Sequence, residues 1–301
     1  MTEFTANEAG QRLDKLLVEK LPDLSRAQLQ QYVKDGFITV NGAPVKPGVK
    51  LRGGETIRID IPASPMTEME AEDIPLNVLY EDADIAVIDK PAGMVVHPGS
   101  GVSGGTLVNA LLARYPEIGT MYGSDRRQGI VHRLDKDTSG LMVIARTKAA
   151  LNKLMAQFQE RTVDKSYIAL VEHVPKTMTG RIEAPIGRDP QQRKRMAVVS
   201  HGKPAVTEFR VLDTNFRDGQ ALIEAHILTG RTHQIRVHMA FIGSPIVGDR
   251  VYGFRKQRVG LKRHFLHAAK LAFDHPRTGE RMSFEAPLPT ALENTLEKLR
   301  G

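Results

Sequence analysis

After residue 76 the chain is a succession of strand-like apolar runs with few helical stretches between them, and this limits its fold more than any other feature. The runs lie at 85–88, 141–145, 167–171, 205–212, 221–228, 266–273 and 282–286. Parallel strands need a crossover between them, usually a helix. Helical patterns here are few: Leu151, Leu154, Met155 and Phe158 fall at helical spacing, and 232–242 and 292–299 follow. The expectation is an α+β domain on a mixed but largely antiparallel sheet with flanking helices.

A smaller α/β unit precedes it. Leu13, Leu16, Leu17 and Val18 have the spacing of one helix, and Leu29, Tyr32 and Val33 that of a second, with Ser25 placed to cap it. Residues 37–40 then meet Asn41-Gly42, the strongest short hairpin signal, and Ile57, Ile59 and Ile61 alternate as a closing strand. Pro62, Pro65, Glu68, Glu70, Glu72 and Asp73 form an acidic stretch in which prolines and like charges favour an extended connection. The expected division is a small domain at 1–62, a linker at 63–75 and a large domain at 76–301.

Composition narrows the chemistry. None of the 301 residues is cysteine, so disulfides and thiolate zinc sites are excluded. Enzymes that work on uracil through a cysteine, and zinc base deaminases with cysteine ligands, are disfavoured with them. No apolar run reaches the roughly eighteen residues of a membrane span, and residues 1–5 lack the pattern of a secretion signal. A cytoplasmic protein with no membrane partner is expected. The net charge of +7 is uneven: 1–62 hold nine bases and eight acids, 63–82 six acids and no base, and the remainder 33 bases and 21 acids. A cationic large domain fits RNA, whose affinity for proteins owes much to phosphate neutralisation, although many basic proteins bind nothing acidic.

The richest chemistry lies in His132-Arg133-Leu134-Asp135-Lys136-Asp137-Thr138-Ser139-Gly140, immediately before the apolar run at 141–145. Asp135 sits between two cations, and neighbouring positive charge favours the ionised carboxylate. Held at the mouth of a buried strand, it can act as nucleophile or general base. A salt-bridged loop ahead of a core strand accounts for the same pattern.

Residues 129–141, Lys165-Ser166-Tyr167, and Thr229-Gly230-Arg231-Thr232-His233-Gln234-Ile235-Arg236-Val237-His238 together resemble three motifs of the RluA/RluC/RluD family of RNA pseudouridine synthases. The resemblance covers nearly the whole chain and is closest to the family's large-subunit ribosomal RNA members. It implies the pseudouridine synthase fold, α+β with a cleft crossing the sheet. It implies an isomerase that detaches uracil, turns it and rejoins it through C5, needing no cofactor and no metal. Asp135 is then the catalyst, attacking the target nucleotide or assisting cleavage of its glycosidic bond. Arg231 resembles the arginine paired with that aspartate, and Tyr167 the tyrosine packed against the base. Leu266 would wall the uracil pocket, though core packing explains it equally well. Arg133 resembles the arginine that enters the space vacated by a flipped-out base. Lys136 and the cluster Arg193-Lys194-Arg195 would grip phosphates, the cluster being almost as well explained as a solvated loop.

Residues 1–62 resemble an S-four-like RNA-binding domain, with Arg12, Arg26, Gln28 and Lys34 on or near the helices that face RNA. The implied partner is 23S ribosomal RNA or a large-subunit precursor, modified at uridines of the stem-loop that bridges to the small subunit; other ribosomal or transfer RNA sites stay open. A monomer is the default. A non-catalytic RNA-binding or assembly factor on the same scaffold is the alternative, against which the intact Asp135, Tyr167 and Arg231 speak.

Two other patterns point elsewhere. Residues 99–104 match G-x-G-x-x-G, but Pro98 precedes them and the acids at the right distance lie in a loop-like stretch. The glycines are expected to shape a loop, with Thr106 capping a helix at 107–114. His233 and His238 are five apart, which misses the three or four of one helical face. They are expected in structural or RNA-contact roles, not as metal ligands.

Overall fold

The computed structural model describes residues 2–21, 24, 26–61, 70–98, 102–120, 128–192, 195–254 and 259–300. Ser25, Gly99 to Gly101, Arg193 and Lys194 lie outside the described residues, as does the side chain of Gln28. The chain forms two compact units, the division falling between Glu70 and Ala71. No helix among the described residues is long and apolar enough to cross a membrane.

The first unit contains β1 (Thr2–Thr5), α1 (Leu13–Lys20), α2 (Arg26–Lys34), β2 (Ile38–Val40), β3 (Ala43–Pro44) and β4 (Thr56–Ile59). Its sheet is antiparallel in the order β1-β4-β2-β3. Asn41 and Gly42 have φ of 50° and 75°, the two left-handed residues a tight hairpin turn requires. Leu13, Leu17, Leu29, Ile38 and Ile57 are fully buried at its core. Asp14, also buried, accepts from Arg12 Nε at 3.0 Å, Arg26 Nη2 at 2.7 Å and Gln30 Nε2 at 2.8 Å. The Arg12 hydrogen bond leads in holding its carboxyl below the usual range, with Arg26 and Gln30 adding and burial opposing. Arg12 and Arg26, expected on or near the helices that face RNA, both direct their guanidiniums at Asp14, with about half of each side chain still exposed. Lys34 is exposed in the last turn of α2.

The second unit runs β5 (Asn77–Glu81), β6 (Ile85–Lys90), α3 (Leu107–Arg114), α4 (Glu117–Thr120), β7 (Ser139–Ala145), α5 (Lys148–Glu160), β8 (Asp164–Val171), β9 (Thr179–Glu183), β10 (Ile186–Arg188) and β11 (Met196–Val198). It continues through β12 (Val206–Asp213), β13 (Ala221–Ile227), α6 (Gln234–Phe241), β14 (Leu266–Asp274), β15 (Arg281–Glu285) and α7 (Thr290–Arg300). The main sheet has nine strands in the order β5-β6-β7-β14-β8-β13-β12-β9, with β15 also paired to β14. Among the described residues β7 with β14 is its one parallel pair, so the mixed, largely antiparallel α+β fold stands as expected. Thr106 caps α3, accepting from Asn109 N–H, while the Asn109 side chain accepts from Thr106 N–H. β6 and β7, on either side of that helix in sequence, pair antiparallel. They supply no parallel βαβ unit for a dinucleotide.

The centre of this sheet positions the site. β7, β14 and β8 lie side by side, with Gly140 opposite Ala268 and Ala268 opposite Tyr167. Gly140 has φ of 119°, and a Cβ there would lie 2.3 Å from the Ala268 carbonyl oxygen, so only glycine lets the two strands meet. The loop carrying Asp135 therefore enters β7 directly beside the strands bearing Leu266 and Tyr167.

Candidate active site

Arg133, Asp135, Tyr167, Arg231, Arg236 and Leu266 line one cleft of about 820 Å³, within the range of small-molecule sites. Leu134 is buried and anchors the loop between an exposed Arg133 and a half-buried Asp135. Two cations, the buried Lys90 and the half-buried Arg263, pin the same loop. Lys90 Nζ donates to the carbonyls of Pro91, Met94 and Lys136 at 2.8, 2.9 and 3.1 Å. Burial brings this ammonium down to about 8, with the nearby Arg263 adding. Arg263 donates to the Asp137 carbonyl at 2.8 Å and to Ser139 Oγ at 3.0 Å. Neither Lys90 nor Arg263 stood out in the sequence. Lys136, expected to grip phosphate, is exposed and lies off the cleft lining.

The expected Asp135–Arg231 pair is not formed. Arg236 Nη1 donates to Asp135 Oδ2 at 3.0 Å instead. Its Nε and Nη2 donate to the two oxygens of Asp249 at 2.7 and 3.1 Å. Burial opposes the Arg236 charge, but the hydrogen bonds and charge of Asp249, then Asp135, outweigh it and hold the guanidinium firmly protonated. Arg231 is kept away by its own backbone: its N–H donates to Gln234 Oε1 at 3.0 Å, and its Nε reaches the Pro204 carbonyl at 3.2 Å. Gln234 in turn donates to Val206 O and Thr207 Oγ1, both at 2.9 Å, which ties the 229–231 turn to β12. Arg231 lines the cleft, but the carboxylate's partner sits five residues later, on the first turn of α6.

Tyr167 lies on β8 with its ring buried, and its hydroxyl has no hydrogen-bond partner among the described residues. Burial, and then the charge of Asp135, push the phenol pKa up, so the group stays protonated. Leu266, the first residue of β14, is 4% exposed. Two residues before Tyr167, and so on its side of the strand, Lys165 stands 5.1 Å from the Phe158 ring centre, brought to about 8 by burial. His132 stacks on that ring at 4.7 Å and accepts the Val143 N–H at 3.0 Å; burial lowers it to about 3. Both support the cleft wall.

The two histidines of the third motif separate in role. His238 is buried, bonded to Thr207 Oγ1 and the Ala184 carbonyl at 2.9 Å each. His233 faces the cleft, with Nε2 3.9 Å from Asp135 Oδ1. Arg195 is held 3.5 Å from Asp189 and lies over the Tyr252 ring. Among the described residues one cluster has metal-ligand geometry: Asp82, Asp84 and His275. His275 and Tyr80 donate to Asp82, and Arg277 binds Asp84, so both carboxylates already have protein partners.

A family model described as RNA pseudouridylate synthase matches residues 84–241, and one described as S4 domain matches residues 11–57. An uncharacterized RNA pseudouridine synthase of Chloroflexus aurantiacus is 53% identical over 97% of this chain and 91% of that protein. The ribosomal large subunit pseudouridine synthase D of Pseudomonas aeruginosa is 48% identical over 93% and 89%. Among solved structures, human RNA pseudouridylate synthase domain containing 1 is similar with a TM-score of 0.57 and 30% identity, over 73% of this chain and 86% of that one.

Proposed function

The chain belongs to the RNA pseudouridylate synthase family, and from that premise we propose that it isomerises uridines of large-subunit ribosomal RNA, with Asp135 acting on an extruded nucleotide. The observation that carries this reading is the Asp135 carboxylate in the cleft, with Oδ2 held by Arg236 and Oδ1 without a hydrogen bond among the described residues. The chemistry needs no group from outside: the uracil leaves its ribose, turns and is rejoined through C5.

A stacked base cannot reach a cleft this recessed, so it must be turned out of its helix at a cost of roughly a few kcal/mol. Arg133, exposed at the cleft, is the side chain to fill the vacated space, since its planar cation can stack on the remaining bases. Leu266 and the Tyr167 ring form an apolar and aromatic slot for the uracil. Arg236 orients the carboxylate, and the Tyr167 phenol is a proton donor poised near the base. Resemblance to the ribosomal large subunit pseudouridine synthase D proteins favours a large-subunit RNA, and the proposed target within it is the 23S stem-loop bridging to the small subunit. The test is tritium release from ribosomal RNA labelled at uridine C5, followed by mapping of the modified positions. Tight binding with no release would mark a protein that only binds.

Two expectations follow from the parts. Tyr167→Phe keeps the ring and removes a hydroxyl with no partner, so stability should change by less than about 0.5 kcal/mol. Turnover should fall by roughly 10²-fold or more, the usual worth of a proton-transfer group. Wild-type turnover would confine Tyr167 to packing. Removal of residues 1–62 should weaken RNA binding and blur discrimination among RNAs, because that segment carries the S4 match and the cations Arg12, Arg26 and Lys34. Unchanged affinity and site choice in filter binding would make that domain incidental to recognition.

A further inference from the structure

We propose that His233 is a second catalytic residue, a fixed neutral N–H donor to a uracil carbonyl oxygen, with Tyr252 as the positioning residue that sets its tautomer. The proposal rests on the reading of Asp135 above. Its first support is the backbone. His233 has φ of 58° and ψ of 21°, the left-handed region, at the position that opens α6. Such a conformation in a non-glycine residue costs on the order of 1 kcal/mol and persists where its surroundings enforce it. Here it sends the imidazole into the cleft.

The second support is the hydrogen-bond chain behind the ring. The Tyr252 hydroxyl oxygen accepts the Met196 N–H at 2.9 Å and stands 2.8 Å from His233 Nδ1. No other acceptor for the phenol proton lies within reach among the described residues, so that proton goes to Nδ1. The imidazole then carries its own proton on Nε2. Burial, with the charge of Arg236 adding and Asp135 opposing, disfavours a second proton. Nε2 stands 3.9 Å from Asp135 Oδ1, too far for a hydrogen bond, and it has no other acceptor among the described residues. An unspent N–H therefore faces the same space as the one carboxylate oxygen that Arg236 leaves open.

The reaction supplies an acceptor there. When the bond between uracil N1 and the ribose breaks, its electron pair stays on the ring and spreads onto the carbonyl oxygens, of which O2 adjoins N1. An N–H donor beside the acting oxygen gains strength as that charge grows, while its proton stays on His233.

His233→Asn suits the test, since asparagine also tolerates the left-handed region but places no N–H where Nε2 was. Single-turnover tritium release should slow by on the order of 10²-fold, with RNA affinity unchanged. Tyr252→Phe should slow it less, and should add nothing in the His233→Asn background, because it acts through His233. Wild-type rates in His233→Asn, a loss expressed in affinity alone, or an equal Tyr252→Phe effect on both backgrounds would overturn the proposal. Should His233→Asn fail to fold, Tyr252→Phe alone decides: wild-type rates in that folded variant overturn it, and slowed release at unchanged affinity upholds it. Asp135→Asn run alongside separates the two ideas. Activity there sinks the reading of Asp135 and this inference with it, whereas an inactive Asp135→Asn beside a fully active His233→Asn sinks this inference only.

Discussion

Asp135→Asn should abolish pseudouridine formation, with C5 tritium release falling by on the order of 10⁴-fold or more, while RNA affinity stays near that of wild type. The substitution is nearly isosteric and keeps an oxygen for Arg236 Nη1. The buried pair between Arg236 and Asp249 is untouched, so the floor of the site should hold. What disappears is the charge on the open oxygen, and with it either a nucleophile or a base. RNA binding draws on phosphate contacts spread over many side chains, and one acid removed from a cationic surface does not weaken them. Unfolding profiles that overlay wild type, with release lost, would isolate the chemistry. Turnover near the wild-type rate would remove Asp135 from the centre of the mechanism.

The sequence was most legible where a pattern had a single physical solution. The apolar run at 141–145 became β7, buried along its whole length. Leu151 and Leu154 became the buried face of α5, Asn41-Gly42 made its hairpin, and Thr106 its cap. The elements that escaped were short and half exposed. β1 pairs only at the sheet edge, and β9, β10 and β11 have no run long enough for alternation to register. Their places are set by partners distant in sequence, as when β9 pairs with β12.

The site followed the same rule. Asp135, Tyr167 and Leu266 line one cleft because β7, β14 and β8 are neighbours; the motifs marked Asp135 and Tyr167 without that adjacency, and no motif marked Leu266. The arginine was misassigned because Thr229 to His238 contains two. One signal did separate them: Arg236 lies between Ile235 and Val237 in a helix whose residues from Gln234 to Met239 are all buried. A buried arginine has to meet a carboxylate, whereas Arg231 follows a glycine in a turn. Asp249 carried no such signal, since an acid in a loop is ordinarily solvated.

The sharpest contrast in the molecule is therefore between these two arginines. Arg236→Met should cost both stability and turnover. It strands Asp249, whose side chain is wholly buried, and breaking a buried pair from one side costs about 3–5 kcal/mol. The Val251 and Tyr252 N–H groups, at 2.9 and 3.1 Å from Asp249, place the loss toward the lower end. Arg231→Met removes only an exposed contact to a carbonyl, so unfolding should shift by no more than about 0.5 kcal/mol, and the Asp135 pair survives. The double variant Arg236→Met/Asp249→Leu separates the two effects of Arg236. Replacing both members of a buried pair with apolar groups is often neutral, so stability should recover in large part, short of the acceptor lost to the Val251 and Tyr252 N–H groups, while tritium release stays lost because Asp135 still lacks its partner. Recovery of both together would reduce Arg236 to a structural residue. Wild-type turnover in Arg236→Met beside an inactive, folded Arg231→Met would mean that RNA binding exchanges one arginine for the other at Asp135.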